Sequence, residues 1–226
     1  MQPIHFYFDF VSPYAHLAFH ALPQALKGCS YQVLYKPVLL GALFKAQGVT
    51  SPASIASKHG WIKRHTQWLA AQQAQAQQAL AEQEPGALPA ALQAQQQAPF
   101  AWPAQHPFNG LPLLRLAMAC STDGCINRYT AQCIFAHVWQ AGGADALQPE
   151  RLAQLEQCLA QQLRIEGGAD SPRCKELLRA NTDQAQAAGI FGVPAFVVAG
   201  ELFWGLDALP MLRERIAGAA FLEGGL

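Results

Sequence analysis

Apolar residues run almost without a break from Ile4 to Phe10, in a stretch rich in aromatics. A strand buried on both faces carries such a run, as strands of parallel sheets do. Ser12-Pro13 follows, a serine suited to a helix N-cap and a proline suited to the first helical position. Leu17, Ala18, Ala21, Leu22, Ala25 and Leu26 then recur at helical spacing, and Lys27-Gly28 closes the helix. From Tyr31 to Val38 aromatic or aliphatic residues alternate with polar ones, which predicts a second strand. The three segments form a βαβ unit with a right-handed crossover.

From about Leu39 to Ala188 no segment reads as a strand. The spacing predicts helices over Leu111–Cys120, Asn127–Gln140, Pro149–Leu163 and Pro172–Ala188, divided by Gly, Pro, Asn and Asp. Gln67 to Gln97 is dominated by Gln and Ala, good helix formers whose leucines are too sparse for a continuous apolar stripe. It predicts a solvated long helix, or a helical hairpin broken at Glu84-Pro85-Gly86. Strands return at Ala195–Val198 and Glu201–Trp204 around an Ala199-Gly200 turn, and Asp207 caps a last helix. One sheet is therefore split by inserted helices. The expected fold is α/β, a thioredoxin-like domain (residues 1–40 plus 189–226) with an all-α helical insertion subdomain (residues 41–188).

The 226 residues include 51% hydrophobic types, enough for a large core, and 15 basic against 15 acidic residues. That balance lacks the cationic footprint of nucleic-acid or anionic-membrane binding. No stretch approaches the roughly 20 apolar residues of a membrane span. The opening MQPIHFYFDFVSPY has no basic flank and is interrupted by Asp9 and Pro13, unlike a secretion signal, so a cytoplasmic protein is expected. Six cysteines contain no C-x-x-C pair, and Cys120, Cys125 and Cys133 lack zinc-site spacing; free thiols and no metal site are expected.

Three places hold candidate chemistry. Ser12 begins the first helix, where a hydroxyl, the free N–H groups and the helix dipole can together lower the pKa of a bound thiol; an ordinary N-cap is the plainer role. Ser12-Pro13-Tyr14-Ala15 carries no sulfur, so it cannot exchange disulfides. Val193-Pro194 enters the third strand, where proline cannot join the ladder; a cis bond there leaves the Val193 N–H and C=O to pair with an extended peptide. Asp207 can cap the last helix or receive a ligand ammonium. Around these, Tyr14 and Trp61 with the segment Trp102 to Phe108 line an aromatic cavity or pack the core. His16 and His20 face a cavity edge or solvent, and Lys58 or Arg64 meets a substrate carboxylate or stays solvated.

The stretches FYFDFVSPYAHLAF, KPVLLGALFKAQG, WPAQHPFNGLPLLR and GIFGVPAFVVAGELFWGLDAL resemble the 2-hydroxychromene-2-carboxylate isomerases and their relatives, the kappa-class glutathione transferases. The likeness spans nearly the whole chain. It implies that glutathione is the cofactor and that Ser12 stabilises its thiolate. Val193 and Pro194 would meet the cysteinyl backbone, and Gly205, Leu206 and Asp207, with Lys58, the rest of the tripeptide. Tyr14, His16, Trp61, Gln105 and His106 would face a small aromatic substrate, and the assembly would be a homodimer. The implied reaction is reversible addition of glutathione, ring opening, bond rotation and loss of glutathione. A kappa-type transferase and a redox-inactive thioredoxin-like binding protein are the alternatives. The chain departs from the family pattern at Val49, at Trp61 after Lys58, at His65 and at Ala208. It also departs in an insertion of about twenty residues between Trp68 and Trp102, a cheap change in a loop.

Overall fold

The computed structural model describes residues 2–83, 98–163 and 167–218. Strand β1 (Gln2–Phe8) runs into helix α1 (Pro13–Ala25), and β2 (Tyr31–Pro37) returns parallel to β1, completing the expected βαβ unit. Next come α2 (Leu40–Ala46), a short 3₁₀ turn (Pro52–Ser54), α3 (Ala56–Gln83), α4 (Leu111–Ala119), α5 (Arg128–Trp139), α6 (Pro149–Gln162) and α7 (Pro172–Ala187). The chain closes with β3 (Ala195–Val198), β4 (Glu201–Trp204) and α8 (Leu209–Ile216). The four strands lie in the order β2-β1-β3-β4, with β3 antiparallel to both neighbours. This is the mixed sheet of a thioredoxin-like fold, with helices inserted between β2 and β3.

Caps and prolines explain the helix starts. Asn127 accepts the Thr130 N–H at 2.8 Å, Ser171 that of Cys174 at 3.3 Å, and proline occupies the first turn of α1, α4, α6, α7 and α8. Two elements differ from expectation. Strand β1 ends at Phe8, because the Asp9 carboxylate takes over the hydrogen bonding beyond it. Helix α2 was not foreseen: its N-cap is Leu39, which has no capping side chain. Helix α3 contains the expected helical stretch from Gln67 as far as Gln83 but begins earlier, at Ala56, and the rest of that stretch, with the proposed break at Glu84-Pro85-Gly86, lies outside the described residues.

One face of the sheet and the inserted helices share a continuous aromatic core. Phe6, Phe8 and Phe10 alternate along β1 and its extension, and Phe8 and Phe10 pack on Phe135 of α5 with centroids 5.4 and 4.9 Å apart. Burying each such ring contributes roughly 1.5–3 kcal/mol. The opposite face buries Tyr7, Val38 and Ala195 against Leu43, Ala185 and Ile190. Helices thus cover both faces, which is why β1 reads as continuously apolar. All six cysteines are free thiols. Among the described residues no helix is long and apolar enough to cross a membrane.

Candidate functional site

The site begins where β1 gives way to α1. Ser12 is the N-cap, with extended backbone, and its Oγ accepts the Ala15 N–H at 3.2 Å. It is only 6% exposed. A hydroxyl that accepts one hydrogen bond still has a proton to donate, and among the described residues nothing accepts it. The His16 N–H bonds the Ser12 carbonyl at 3.2 Å and Pro13 has no N–H, so the Tyr14 N–H is the one donor of this turn left without an acceptor among the described residues. A hydroxyl and a backbone N–H at the positive end of a 13-residue helix are together suited to an anion such as a thiolate.

The β1–β3 register brings the second feature alongside. Tyr7 pairs with Ala195, so the two chains continue with Val193-Pro194 beside Phe8-Asp9, just before Ser12. The Val193–Pro194 bond is cis. Pro194 accepts the Gly205 N–H at 2.9 Å, whereas the N–H and C=O of Val193 bond to nothing among the described residues. The neighbouring loop needs its glycine: a Cβ on Gly192 would meet the Trp204 indole nitrogen at 2.9 Å. Trp204 in turn packs on Phe191 with centroids 4.8 Å apart, leaving an exposed aromatic pair beside the free Val193 backbone.

Asp207 does not cap α8. The N-cap is Ala208, without a side-chain cap bond, and the Leu209 N–H bonds the Leu206 carbonyl instead. The exposed Asp207 carboxylate folds back over Gly205, whose φ of 103° and missing side chain make room for it. Burial first, and then the charge of Asp207, push the Tyr14 hydroxyl pKa up. Leu206 packs against the main core.

On the other side Tyr14 reaches α3, its hydroxyl 2.9 Å from His65 Nδ1. His65 stacks between Trp61 and Trp68, centroids 5.6 and 6.3 Å away, and both tryptophans are more than half exposed. Arg64 lies 5.0 Å over the Trp61 ring. Trp61 is therefore on an open wall rather than in an enclosed cavity. Lys58 and Gln105 are exposed.

Two residues expected to face a substrate are tied into the surrounding structure instead. His16 is in the core, its ring against Phe100, Phe135 and Trp139, because it falls on the same buried face of α1 as Phe19. Burial holds its pKa well below the ordinary histidine value. His106 has both ring nitrogens engaged, Nε2 with the Val11 carbonyl at 2.9 Å and Nδ1 with His59 Nε2 at 3.4 Å. Burial pushes it down to about 4, so it is neutral at pH 7.

Asp9 was read only as an interruption of an apolar run, yet it organises the loop. It is 2% exposed; Oδ1 accepts the Val11 N–H at 3.1 Å and Oδ2 the Leu40 N–H at 3.0 Å. Burial pushes its pKa up to about 6, against the opposing pull of the N–H groups of Leu40, Val11 and Phe10. Among the described residues no group of three or more His, Cys, Asp or Glu could hold a metal ion.

Residues 3–217 match the sequence profile of the DSBA-like thioredoxin domain. The chain belongs to that family. No curated protein matches it. Among solved structures, a 2-hydroxychromene-2-carboxylate isomerase is similar at 20% identity and a TM-score of 0.66, over 96% of this chain and 95% of that one. A probable DsbA oxidoreductase from Streptomyces coelicolor is similar at 15% identity and a TM-score of 0.53, over 100% of this chain and 94% of that one. At these identities the likenesses speak to fold. Within the DSBA-like fold, the slot Ser12-Pro13-Tyr14-Ala15 of this chain lacks the thiols that disulfide exchange needs.

Proposed function

We propose that this DSBA-like chain is a glutathione-dependent isomerase of 2-hydroxychromene-2-carboxylate-like aromatic compounds. One observation carries the reading: among the described residues the donors Ser12 O–H and Tyr14 N–H at the start of α1, and the N–H and C=O of Val193 that the β1–β3 register brings alongside, have no partner. A site that lacks its own sulfur but keeps a thiolate's donors and a strand-like edge fits a tripeptide thiol. Glutathione, when bound, supplies the sulfur nucleophile that adds to the substrate and leaves it again.

The chain's own groups then have definite tasks in this reading. Val193 pairs with the cysteinyl backbone as one strand pairs with another. The Asp207 carboxylate, exposed at the far end, takes the γ-glutamyl ammonium, while Gly205 and Leu206 shape that pocket and Lys58 balances the tripeptide's charge. Ser12 and Tyr14 N–H lower the thiol pKa by hydrogen bonding the anion more strongly than the neutral thiol. The Tyr14 and Trp61 rings flank an aromatic ring. A homodimer belongs to the same proposal.

The open wall of Trp61 and Trp68 favours a second reading, a kappa-type transferase accepting varied electrophiles. One experiment separates the two. The protein is incubated with 2-hydroxychromene-2-carboxylate and glutathione; isomerisation with constant glutathione supports the isomerase, and stoichiometric consumption supports the transferase. Ser12→Ala should lower kcat/KM roughly ten- to thousandfold, the scale of losing one hydrogen bond to a reacting anion. Full activity in Ser12→Ala would remove the hydroxyl from the reaction. Calorimetry showing no glutathione binding to the native protein would leave a binding module without chemistry.

A further inference from the structure

The peptide leading into Ser12 is held at nearly every polar atom, and half of the grip comes from outside the thioredoxin-like sheet. Asp9 holds the Val11 N–H, and the Ser12 N–H bonds the Asp9 carbonyl at 3.1 Å. The Phe10 carbonyl accepts the Trp139 indole N–H at 2.9 Å, from α5. The Val11 carbonyl accepts from His106 Nε2, in the segment before α4. A carbonyl cannot donate, so Nε2 must carry the proton, and a neutral ring then leaves Nδ1 as an acceptor. His59 of α3 approaches that Nδ1 with its own Nε2 and stacks on the His106 ring, centroids 5.5 Å apart and planes 14° from parallel. Trp102 closes the cluster, its ring edge-on to both histidines at 5.4 and 4.5 Å.

We infer that His106 is a positioning residue: through Val11 it fixes the orientation in which Ser12 presents its hydroxyl, and His59 holds the ring in the tautomer that does so. The Val11–Ser12 peptide is the only covalent link between the loop and the Ser12 side chain on the strand side. Releasing its carbonyl lets the peptide plane turn, which re-aims a hydroxyl that must meet a small anion. His106 touches no reacting atom, so its effect is on the quality of the donor and not on the capacity to bind. In its effect on chemistry the inference rests on the glutathione reading; in its effect on the loop it does not.

Three proteins are compared: native, His106→Phe, which removes both ring nitrogens, and His106→Gln, which keeps an N–H donor and an acceptor. The pH dependence of thiolate absorbance in the glutathione complex gives the pKa of the bound thiol. Amide hydrogen exchange at Val11 and Ser12 reports the loop directly. Expected for His106→Phe is about tenfold less bound thiolate at a given pH and a kcat about ten- to hundredfold lower, the scale of a slightly misplaced group. Its glutathione Kd should stay within about threefold, and the two amides should exchange about tenfold faster; His106→Gln should recover most of each change. A merely structural role would lower thermal stability and leave the bound-thiol pKa alone. Native-like thiol pKa and exchange in His106→Phe overturn the inference, and so does equal impairment of the Phe and Gln variants. In the native protein, NMR should find a His106 Nε2–H protected from solvent; an Nδ1–H tautomer or an Nε2–H exchanging at solvent rates also overturns it, whether or not the variants fold. If native protein fails to bind glutathione while exchange responds as described, the isomerase reading falls and the clamp remains.

Discussion

Acid should unfold this protein through its histidines well before its carboxylates are exhausted. Burial pushes His20 and His106 down to about 4 from an ordinary value of 6.5 and drives His16 well below it, while burial pushes Asp9 up to about 6 from 3.8. His20 lies on α1 against His16, at 4.6 Å between centroids, and near Arg128; His106 faces His59, so among the described residues no carboxylate rescues either cation. The unfolded chain takes up these protons near pH 6.5 and the folded chain does not, so stability is full above pH 6.5 and falls as the pH drops toward 4. For His20 and His106, holding the ring at about 4 against an ordinary 6.5 corresponds to about 3 kcal/mol each, reduced to about 2 kcal/mol because both rings keep some solvent contact. Asp9 works the other way. Its folded pKa is raised, so its contribution is fully present below 3.8 and is lost as the pH rises through 6, returning about 3 kcal/mol on acidification. Near pH 5 the unfolded chain holds about three protons on His16, His20 and His106 that the folded chain lacks, against about one held only by native Asp9, and these four groups give a slope of about 2.7 kcal/mol per pH unit. Urea unfolding between pH 7 and pH 4.5 measures it. His20→Gln should roughly halve the slope, since it removes about one of the two net protons that set it. Stability that is level from pH 6.5 to 5, or a His20 ring titrating near 6.5 by NMR, would refute the burial argument.

Other substitutions test separate parts of the site. Gly205→Ala places a Cβ at φ 103° against the Asp207 carboxylate and should cost roughly 1–3 kcal/mol, read by chemical denaturation, with weakened glutathione affinity. Trp139→Phe keeps most of the packing but leaves the buried Phe10 carbonyl without its donor, an expected loss of about 1–3 kcal/mol in the same assay. Asp9→Asn keeps one acceptor of two and should remove the stability change centred between pH 3.8 and 6, visible as a steeper acid limb than the native protein shows. Val193→Pro deletes the free N–H, so calorimetry should show at least about a tenfold weaker glutathione complex if the tripeptide pairs there as a strand.

Local chemistry was legible and distant chemistry was not. Ser12 announced its helix by standing one residue before it, and Asn127, expected as the first residue of its helix, and Ser171 prove to be caps of the same kind, with bonds that span three residues. The Ala199-Gly200 hairpin was readable for the same reason, with φ of 51° and 87° at its two positions. Asp9 was opaque, because one of its two partners, Leu40, is 31 residues away. The His106–Val11 bond spans 95 residues and the Trp139–Phe10 bond 129, and no periodicity encodes either. His16 shows the opposite hazard. It was expected at a cavity edge facing a substrate, but a position on a helix fixes a face and not what covers it; here the cover is Phe100, Phe135 and Trp139.

The division of labour between sheet and helices follows from the missing sulfur. A cysteine in the Ser12 position would carry its reactive atom with it, and modest error in the loop would be tolerated by the reach of a covalent exchange. A serine there acts only through a hydrogen bond, whose strength falls steeply with angle and distance. Such a site needs a tightly held loop, and the βαβ unit alone offers Asp9 and the helix cap for that purpose. The remaining constraints arrive from the insertion, as Trp139 on the Phe10 carbonyl and His106 on that of Val11. Under the proposed glutathione reading, the inserted segments would therefore do more than cover the sheet: they would hold the Ser12 donor in place for the thiolate of a bound tripeptide. It follows that shortening the solvated end of α3, beyond Gln73 with its bond to the Leu17 carbonyl, should be tolerated, while disturbing the segment from Trp102 to His106 should not.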